Sequence, residues 1–512
     1  MSSNPPAGSQ PELAGAAPSL EQAATAERLA PAPEPGGGRP AEVGNVVRRL
    51  SRAHPGLILA VLAVAQFFAA LDVFIVNVAL TPIGRALHES SLSDLSWILN
   101  GYAIVYAALL IPAGRFADRF GRRGGFLLGL GLFTAASLGA ALSGNLWVLV
   151  AFRLLQATGA AILTPSSLGL VLASAPAGKT AKYVQIWVAS GSLAAAAGPV
   201  IGGLLVQGSW RWIFLLNLPI GVLALVAGAR LLPRIRHDSS ARIPDLLGGA
   251  ILIIAIGSLA LGLDEAPDWG WGSARIITAL AVAAAGLALF VLRSSRARTP
   301  IVEFGLFRNR TFTAANLTVV AFYAGFGIVL LGVVLWLQDG FGYSAIKTGL
   351  LIAPGPCLVI PGVALSRRVA RHVPARVVTV TGALLSAVSC LMIALSTTSG
   401  HINYAGQILP GWLLSGLGLG LTLPTIISYA TADLPEHQTA TGSAVVSMSG
   451  QIGSVVGVSL LVIFLALPGH HADPHHNYAA AWLVAAALMV LSALAAAAIP
   501  RSRRGLTSRA RV

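Results

Sequence analysis

Charge is what this chain is short of. Asp, Glu, Lys and Arg make up 10% of its 512 residues, while 55% are hydrophobic. Soluble domains carry about 25% charged residues, so a water-soluble globular protein of this length is excluded. Lysine is nearly missing, 3 against 31 arginines. That ratio reads as genomic base composition and carries no mechanistic weight. Cysteine is scarce as well. Cys357 and Cys390 both fall in apolar stretches, so inert buried thiols are expected rather than a disulfide. No Walker A pattern occurs, which speaks against an ATP-driven pump. HExxH, GxSxG and any hydrolytic constellation are also absent, so neither an enzyme nor a cofactor is expected. The net charge of +15 is dispersed over short loops, with no basic face or base-stacking module, and nucleic acid is not an expected partner.

What is present is a succession of apolar stretches. They cover 57–80, 94–114, 124–143, 146–173, 183–207, 212–231, 246–263, 275–292, 312–337, 345–366, 376–396, 407–431, 440–466 and 478–499. About 20 apolar residues at 1.5 Å each span the roughly 30 Å hydrocarbon core, so fourteen transmembrane helices are predicted. The basic residues test that count. Twenty-nine of the 34 Lys and Arg lie in the two tails and the even-numbered connections. Four (Arg85, Arg211, Arg275, Lys347) lie on the other side, and Arg153 is inside a span. Lys and Arg stay behind during insertion, so both termini are expected to be cytoplasmic, in a plasma or inner membrane. Residues 1–52 are rich in Pro, Ala, Gly and Glu. They are expected to be disordered, and they lack the basic start and apolar run of a cleaved signal peptide. Residues 500–512 form a short basic tail.

The chain also repeats itself. At an offset of 259, Gly159 aligns with Gly418, Pro165 with Pro424, Pro176 with Pro435, Gly191 with Gly450 and Gly198 with Gly457. The organisation this predicts is an N-terminal six-helix bundle over 53–231, a linker with two extra helices over 232–311, and a C-terminal six-helix bundle over 312–499. Parallel six-span repeats with a site between them describe a transporter whose halves rock.

The first span, Leu57 to Leu80, carries one charge, Asp72. An acid at a helix centre costs about 2.5–3.5 kcal/mol to insert and is usually kept for protons, ions or charged substrate. Asp72 lies 8 residues before the outer end of its span and Arg153 lies 7 residues after the start of its own. Both therefore sit about 10–12 Å below the outer surface. Equal depth and opposite sign suggest a pair. Asp72 is expected to bind a proton or a cationic substrate in alternation, with Arg153 biasing the exchange; the competing reading is a static pair that only orders helices.

The loop after the second span reads Gly114-Arg-Phe-Ala-Asp-Arg-Phe-Gly-Arg-Arg123. Gly114 and Gly121 permit a tight turn, and Asp118 is expected near the start of the third helix, where the dipole favours an anion. Arg115, Arg119, Arg122 and Arg123 can pair with it or with neighbouring helix ends. This pattern resembles the signature loop of the major facilitator superfamily, which implies a cytoplasmic latch holding one state of the transport cycle. The second-half counterpart, Ser366 to Arg371, keeps the arginines and lacks the acid. In the fifth span, Gly191 is followed by Gly198-Pro-Val-Ile-Gly-Gly203. Small residues there allow close packing, and Pro199 bends the helix. This segment (Gly191, Gly198, Pro199, Gly202, Gly203) resembles the Gly-Pro motif of antiporters in that superfamily; tight packing alone is the other reading. Leu71-Asp-Val-Phe-Ile-Val-Asn-Val-Ala-Leu80, Arg153-Leu-Leu-Gln-Ala-Thr-Gly159 and Trp210-Arg-Trp-Ile-Phe-Leu-Leu-Asn-Leu-Pro-Ile-Gly221 resemble the fourteen-span drug:proton antiporter branch. Ala157 stands where that branch usually has Gly. The likeness covers about residues 55–500.

Weaker signals remain. His470-His-Ala-Asp-Pro-His-His476 is expected to be a solvated loop cluster rather than a metal site. Asp264, Glu265 and Asp268 are expected in an acidic external loop beside Trp269 and Trp271, an interfacial aromatic belt rather than a cation vestibule. The resemblance implies an all-α integral membrane protein of the major facilitator fold. It would be a monomer in the lipid bilayer that exports amphipathic drugs or antibiotics against protons by alternating access. A facilitator or symporter for a small metabolite is the alternative.

Overall fold

The computed structural model describes residues 55–89, 91–234, 245–297, 299–397, 403–466 and 474–499. Both tails and the run from His470 to Asp473 lie outside the described residues. Among the described residues, fourteen helices are long and apolar enough to cross a membrane. They are α1 (Pro55–Leu87), α2 (Leu92–Phe120), α3 (Arg122–Leu142), α4 (Leu146–Ser174), α5 (Thr180–Val206), α6 (Trp212–Leu231) and α7 (Leu246–Asp264). There follow α8 (Ala274–Arg296), α9 (Arg310–Gly340), α10 (Ala345–Val369), α11 (Ala375–Thr397) and α12 (Tyr404–Ala432). The last are α13 (Glu436–Ala466) and α14 (Pro474–Ala497). Each coincides with one predicted span, and the chain is a multi-pass membrane protein.

Local chemistry sets many of the helix starts. Ser91, Asn145, Asp245, Ser273, Asn309 and Ser344 each accept a backbone N–H of the helix that follows. That satisfies donors that the first turn leaves without partners. α6 breaks at Leu216 between Leu215 and Asn217. Pro219, four residues after Leu215, has no N–H to offer that carbonyl.

The packing occurs twice over. α1 lies along α5, α2 and α3 along α4, and α3 along α6; α9 lies along α13, α10 and α11 along α12, and α11 along α14. The paired glycines follow suit. Gly159 meets the backbone of α3 and Gly418 that of α11, while Gly198 sits on α1 and Gly457 on α9. Two seams join the sets, α2 against α13 and α5 against α10. The extra pair, α7 and α8, pack on each other, and α7 rests on both α2 and α13. Near the Arg-rich ends, Arg293 of α8 grips the buried Asp245 at the start of α7 with contacts of 2.6–3.1 Å.

Candidate functional site

Asp72 and Arg153 meet. They form an ion pair deep in the first set of helices, each only 1% exposed. The α6 break brings Asn217 to the same place. The second carboxylate oxygen accepts from Gln156 Nε2 at 2.9 Å and Asn217 Nδ2 at 3.1 Å. Ser137 Oγ of α3 accepts from both amides at 2.8 and 3.3 Å. Arg153 donates further to Gln156 Oε1 at 2.6 Å and to the Ile98 carbonyl at 3.2 Å, and lies over the Tyr102 ring at 4.3 Å. Six side chains from α1, α2, α3, α4 and α6 thus share one buried network. Gln156 and Asn217 stood in quoted motifs with no role attached, and nothing in the sequence singled out Ser137.

The signature loop is a corner. α2 runs to Phe120, Gly121 turns with φ of 100°, and α3 starts at Arg122. Only glycine takes that backbone without strain. Asp118 therefore sits in the last turn of α2 rather than at the start of α3, where it was expected. The dipole there opposes an anion, and Arg122 compensates, pairing with Asp118 at 3.0 Å. Arg122 also donates to the Gly169 carbonyl of α4 at 3.1 Å, and Arg123 to the Ala229 carbonyl of α6. Arg119 lies over Phe120 at 5.7 Å. Gly114 faces Pro165 of α4. Arg115 reaches away from its own bundle, to the Thr299 carbonyl at 3.0 Å and towards Glu303 at 4.0 Å, in the connection between α8 and α9. Glu303 also accepts from Gln438 of α13 at 3.4 Å.

The Gly-Pro segment builds two contacts. Gly198 and Gly202 seat α5 on Phe74 and Ile75 of α1. Gly203 meets Ala345 and Ile346, and the Pro199 carbonyl meets Gly349, so the ends of α5 and α10 touch backbone to backbone. These ends lie on the charge-poor side, as does the bond from Gln338 Nε2 to the Val78 carbonyl at 3.0 Å, which joins α9 to α1.

Gly191 faces a cavity of ≈ 320 Å³ between α1, α5, α9, α10 and α12. Phe74, Tyr323, Phe326 and Trp412 give it an aromatic wall, and its lining residues include no charged group. Asp72 does not line it. A second hollow of ≈ 640 Å³, on the charge-poor side, has Leu80, Arg85, Glu89, Asp339 and Tyr478 in its wall.

Asp264 and Glu265 depart from the loop expected for them. Asp264 is the last residue of α7 and is 0% exposed; Glu265 is 8% exposed. Ser96 Oγ lies 2.6 Å and Asn100 Nδ2 3.1 Å from Asp264 Oδ2, and Ser93 Oγ donates to Glu265 at 3.1 Å. Burial pushes the Glu265 carboxyl above the usual range, opposed by the Ser93 hydroxyl and reinforced by Asp94 and Asp268. Among the described residues, no group of three His, Cys, Asp or Glu could hold a metal ion.

Residues 62–458 match the family model described as Major Facilitator Superfamily. The chain is 34% identical to the tetracenomycin C resistance and export protein of Streptomyces glaucescens, over 81% of this chain and 77% of that one. It is also 34% identical to the methylenomycin A resistance protein of Bacillus subtilis (80% and 87% covered) and to the multidrug resistance protein Stp of Mycobacterium tuberculosis (78% and 74%). Among solved structures, a POT family transporter with a thioalcohol-conjugated peptide superposes with a TM-score of 0.63 at 17% identity, covering 85% of this chain and 94% of that one. A D-xylose-proton symporter gives 0.63 at 14% identity, covering 87% and 98%. Fourteen spans, a doubled packing pattern and these matches over most of its length place the chain in the Major Facilitator Superfamily.

Proposed function

We propose that this chain is a proton-driven exporter of amphipathic drugs or antibiotics, working by alternating access between two six-helix bundles (53–231 and 312–499). The cavity is the observation that carries the reading. It lies between helices of both sets, so rocking would change its access, and an aromatic wall without formal charge suits a neutral or monocationic aromatic compound. The names of the relatives, which speak of antibiotic export and of antibiotic or multidrug resistance, support the same reading. The basic face would be cytoplasmic, with both termini on that side of the cell membrane.

Asp72 is the coupling acid in this reading. Neutralising it would release Arg153, Gln156 and Asn217 together, and so loosen α1 from α4 and α6. Asp72 does not touch the cavity, so in this reading coupling to substrate would run through the contacts of α1 with α4 and α6. The signature loop, from Gly114 to Arg123, would latch the basic face, with Arg115 and Glu303 holding α2 to the α8–α9 connection. The Gly-Pro segment would close the opposite face against α10.

Everted vesicles of a host expressing the chain test this. Uptake of an aromatic antibiotic should follow an imposed proton gradient and stop with an uncoupler. Uptake that survives the uncoupler would support the facilitator instead.

A further inference from the structure

Ser96 sits between two oxygens. Its hydroxyl lies 2.7 Å from the Ser93 carbonyl and 2.6 Å from Asp264 Oδ2. A serine hydroxyl has one hydrogen, and a carbonyl can only accept. If Ser96 donates to Ser93, the shorter contact needs a hydrogen from Asp264. If it donates to an ionised Asp264, two bare oxygens face each other at 2.7 Å. The other carboxyl oxygen, Oδ1, is buried with no partner at hydrogen-bond distance among the described residues; the Ser459 hydroxyl of α13 is the next donor to the carboxyl. An orphan oxygen costs far more on an anion than on a neutral acid.

Among the described residues, no cation is an electrostatic neighbour of Asp264. On α2 the charged neighbour is Asp94, and beyond α7 come Glu265 and Asp268, with Glu89 in the α1–α2 connection. On α8, Arg275 lies over Trp269 at 5.4 Å, and Arg293 is held by Asp245 at the other end of the pair. α13 has no charged residue from Thr441 to Ala466.

We propose that Asp264 is a proton-binding site of this protein, occupied in this conformation, and that the bound proton fastens the extra helix pair to the seam between the halves. The joint has three parties. Asp264 brings α7, Ser96 and Asn100 bring α2, and Asn100 Nδ2 reaches Ser459 Oγ of α13 at 3.3 Å. In the neutral form Asp264 donates to Ser96, Ser96 donates to Ser93, and Asn100 donates to the acid. Loss of the proton leaves an anion with one bare oxygen, so water must enter and α7 must part from α2 and α13.

The site does not depend on the export reading, and one measurement separates the two. Infrared difference spectra of the purified full-length protein between alkaline and acidic pH should contain a carbonyl stretch from a protonated buried carboxyl. Asp264→Asn should lose that band and Asp72→Asn should keep it. Ser96→Ala, which removes the hydroxyl nearest the acid, should move the pH at which half the band is gained. That variant decides the matter if Asp264→Asn does not fold. A band retained in Asp264→Asn, or a half-point unmoved by Ser96→Ala, overturns the proposal whether or not an uncoupler stops export. Survival of export in the uncoupler, with the band assigned to Asp264, leaves the proton site standing and removes the exporter.

Discussion

Gly349 of α10 rests on the carbonyl of Pro199 in α5, with no space between them for a Cβ. Pro199 removes an N–H from α5, and Gly349 lets a second backbone approach close beside it. The touching atoms are backbone and cannot swing aside as a side chain can. An added methyl therefore overpacks the contact, at a cost of about 1–3 kcal/mol. Gly349→Ala and Gly203→Ala should depopulate this closed arrangement by roughly 5- to 150-fold if the cost falls on the closed state alone. The check is labelling of Thr348→Cys, a position buried in this arrangement, by a membrane-impermeant thiol reagent in a Cys357→Ser/Cys390→Ser background: labelling should speed up and export should slow, at unchanged expression.

The Asp72–Arg153 pair separates structure from coupling. Removing one partner of a buried pair strands the other charge and costs about 3–5 kcal/mol, whereas replacing both with neutral groups is often tolerated. Asp72→Asn should lower the thermal transition in detergent, and Asp72→Asn/Arg153→Gln should recover most of the loss. Neither should export against a gradient. Recovery of proton-driven export in the double variant would reduce the pair to a fastening between α1 and α4.

Hydropathy shows what must be dehydrated, and that is why all fourteen spans were legible. It is blind to helix that continues into water. α1 runs to Leu87 and α2 to Phe120, well past the predicted ends at 80 and 114. Asp118 was consequently assigned to the wrong helix. The Asp72–Arg153 pair was legible because depth can be counted along each helix. Their partners were not. Ser137 and Asn217 approach through helix contacts separated by 80 residues, and Asn217 depends on the break in α6. Asp264 was misplaced for a related reason. An acid at a span end looks solvated until α2, 168 residues away, covers it.

Glu265 offers a pH test outside the spans. Its carboxyl binds a proton more readily in the folded protein than in an unfolded chain. The folded state therefore holds more protons over that window, and stability falls as pH rises through it from the ordinary glutamate range. Glu265→Gln keeps an acceptor for Ser93 and removes the titration. Its thermal transition should match wild type at acidic pH and exceed it at pH 7.5. An equal gain at both pH values would trace the effect to packing.

The ion pair of the signature loop should count for little in stability and more in rate. Asp118 and Arg122 are exposed, and such pairs contribute about 0.2–1 kcal/mol. Asp118→Asn should leave the thermal transition within about 1–2 °C of wild type, given the size of the chain. Transport should nonetheless slow, because Arg122 loses the carboxylate that aims it at the Gly169 carbonyl. A double-mutant cycle over Arg115 and Glu303, read as export rate, should show coupling between α2 and the α8–α9 connection. Additive effects would confine the latch to the corner at Gly121.

Substrate preference should be written in the aromatic wall. Tyr323 and Phe326 stand edge to face on α9, their centroids 6.4 Å apart, and both line the cavity. An edge-to-face partner contributes about 0.5–1.5 kcal/mol beyond the area it buries. Phe326→Ala should raise the half-saturating concentration of an aromatic antibiotic by roughly 10-fold, the equivalent of about 1.4 kcal/mol. Since neither ring touches the Asp72 network, the uncoupler should still stop export in this variant. Resistance profiles of a susceptible host should shift between compounds rather than fall uniformly. A uniform fall would mean that Phe326 supports α9 itself and that the compounds bind elsewhere.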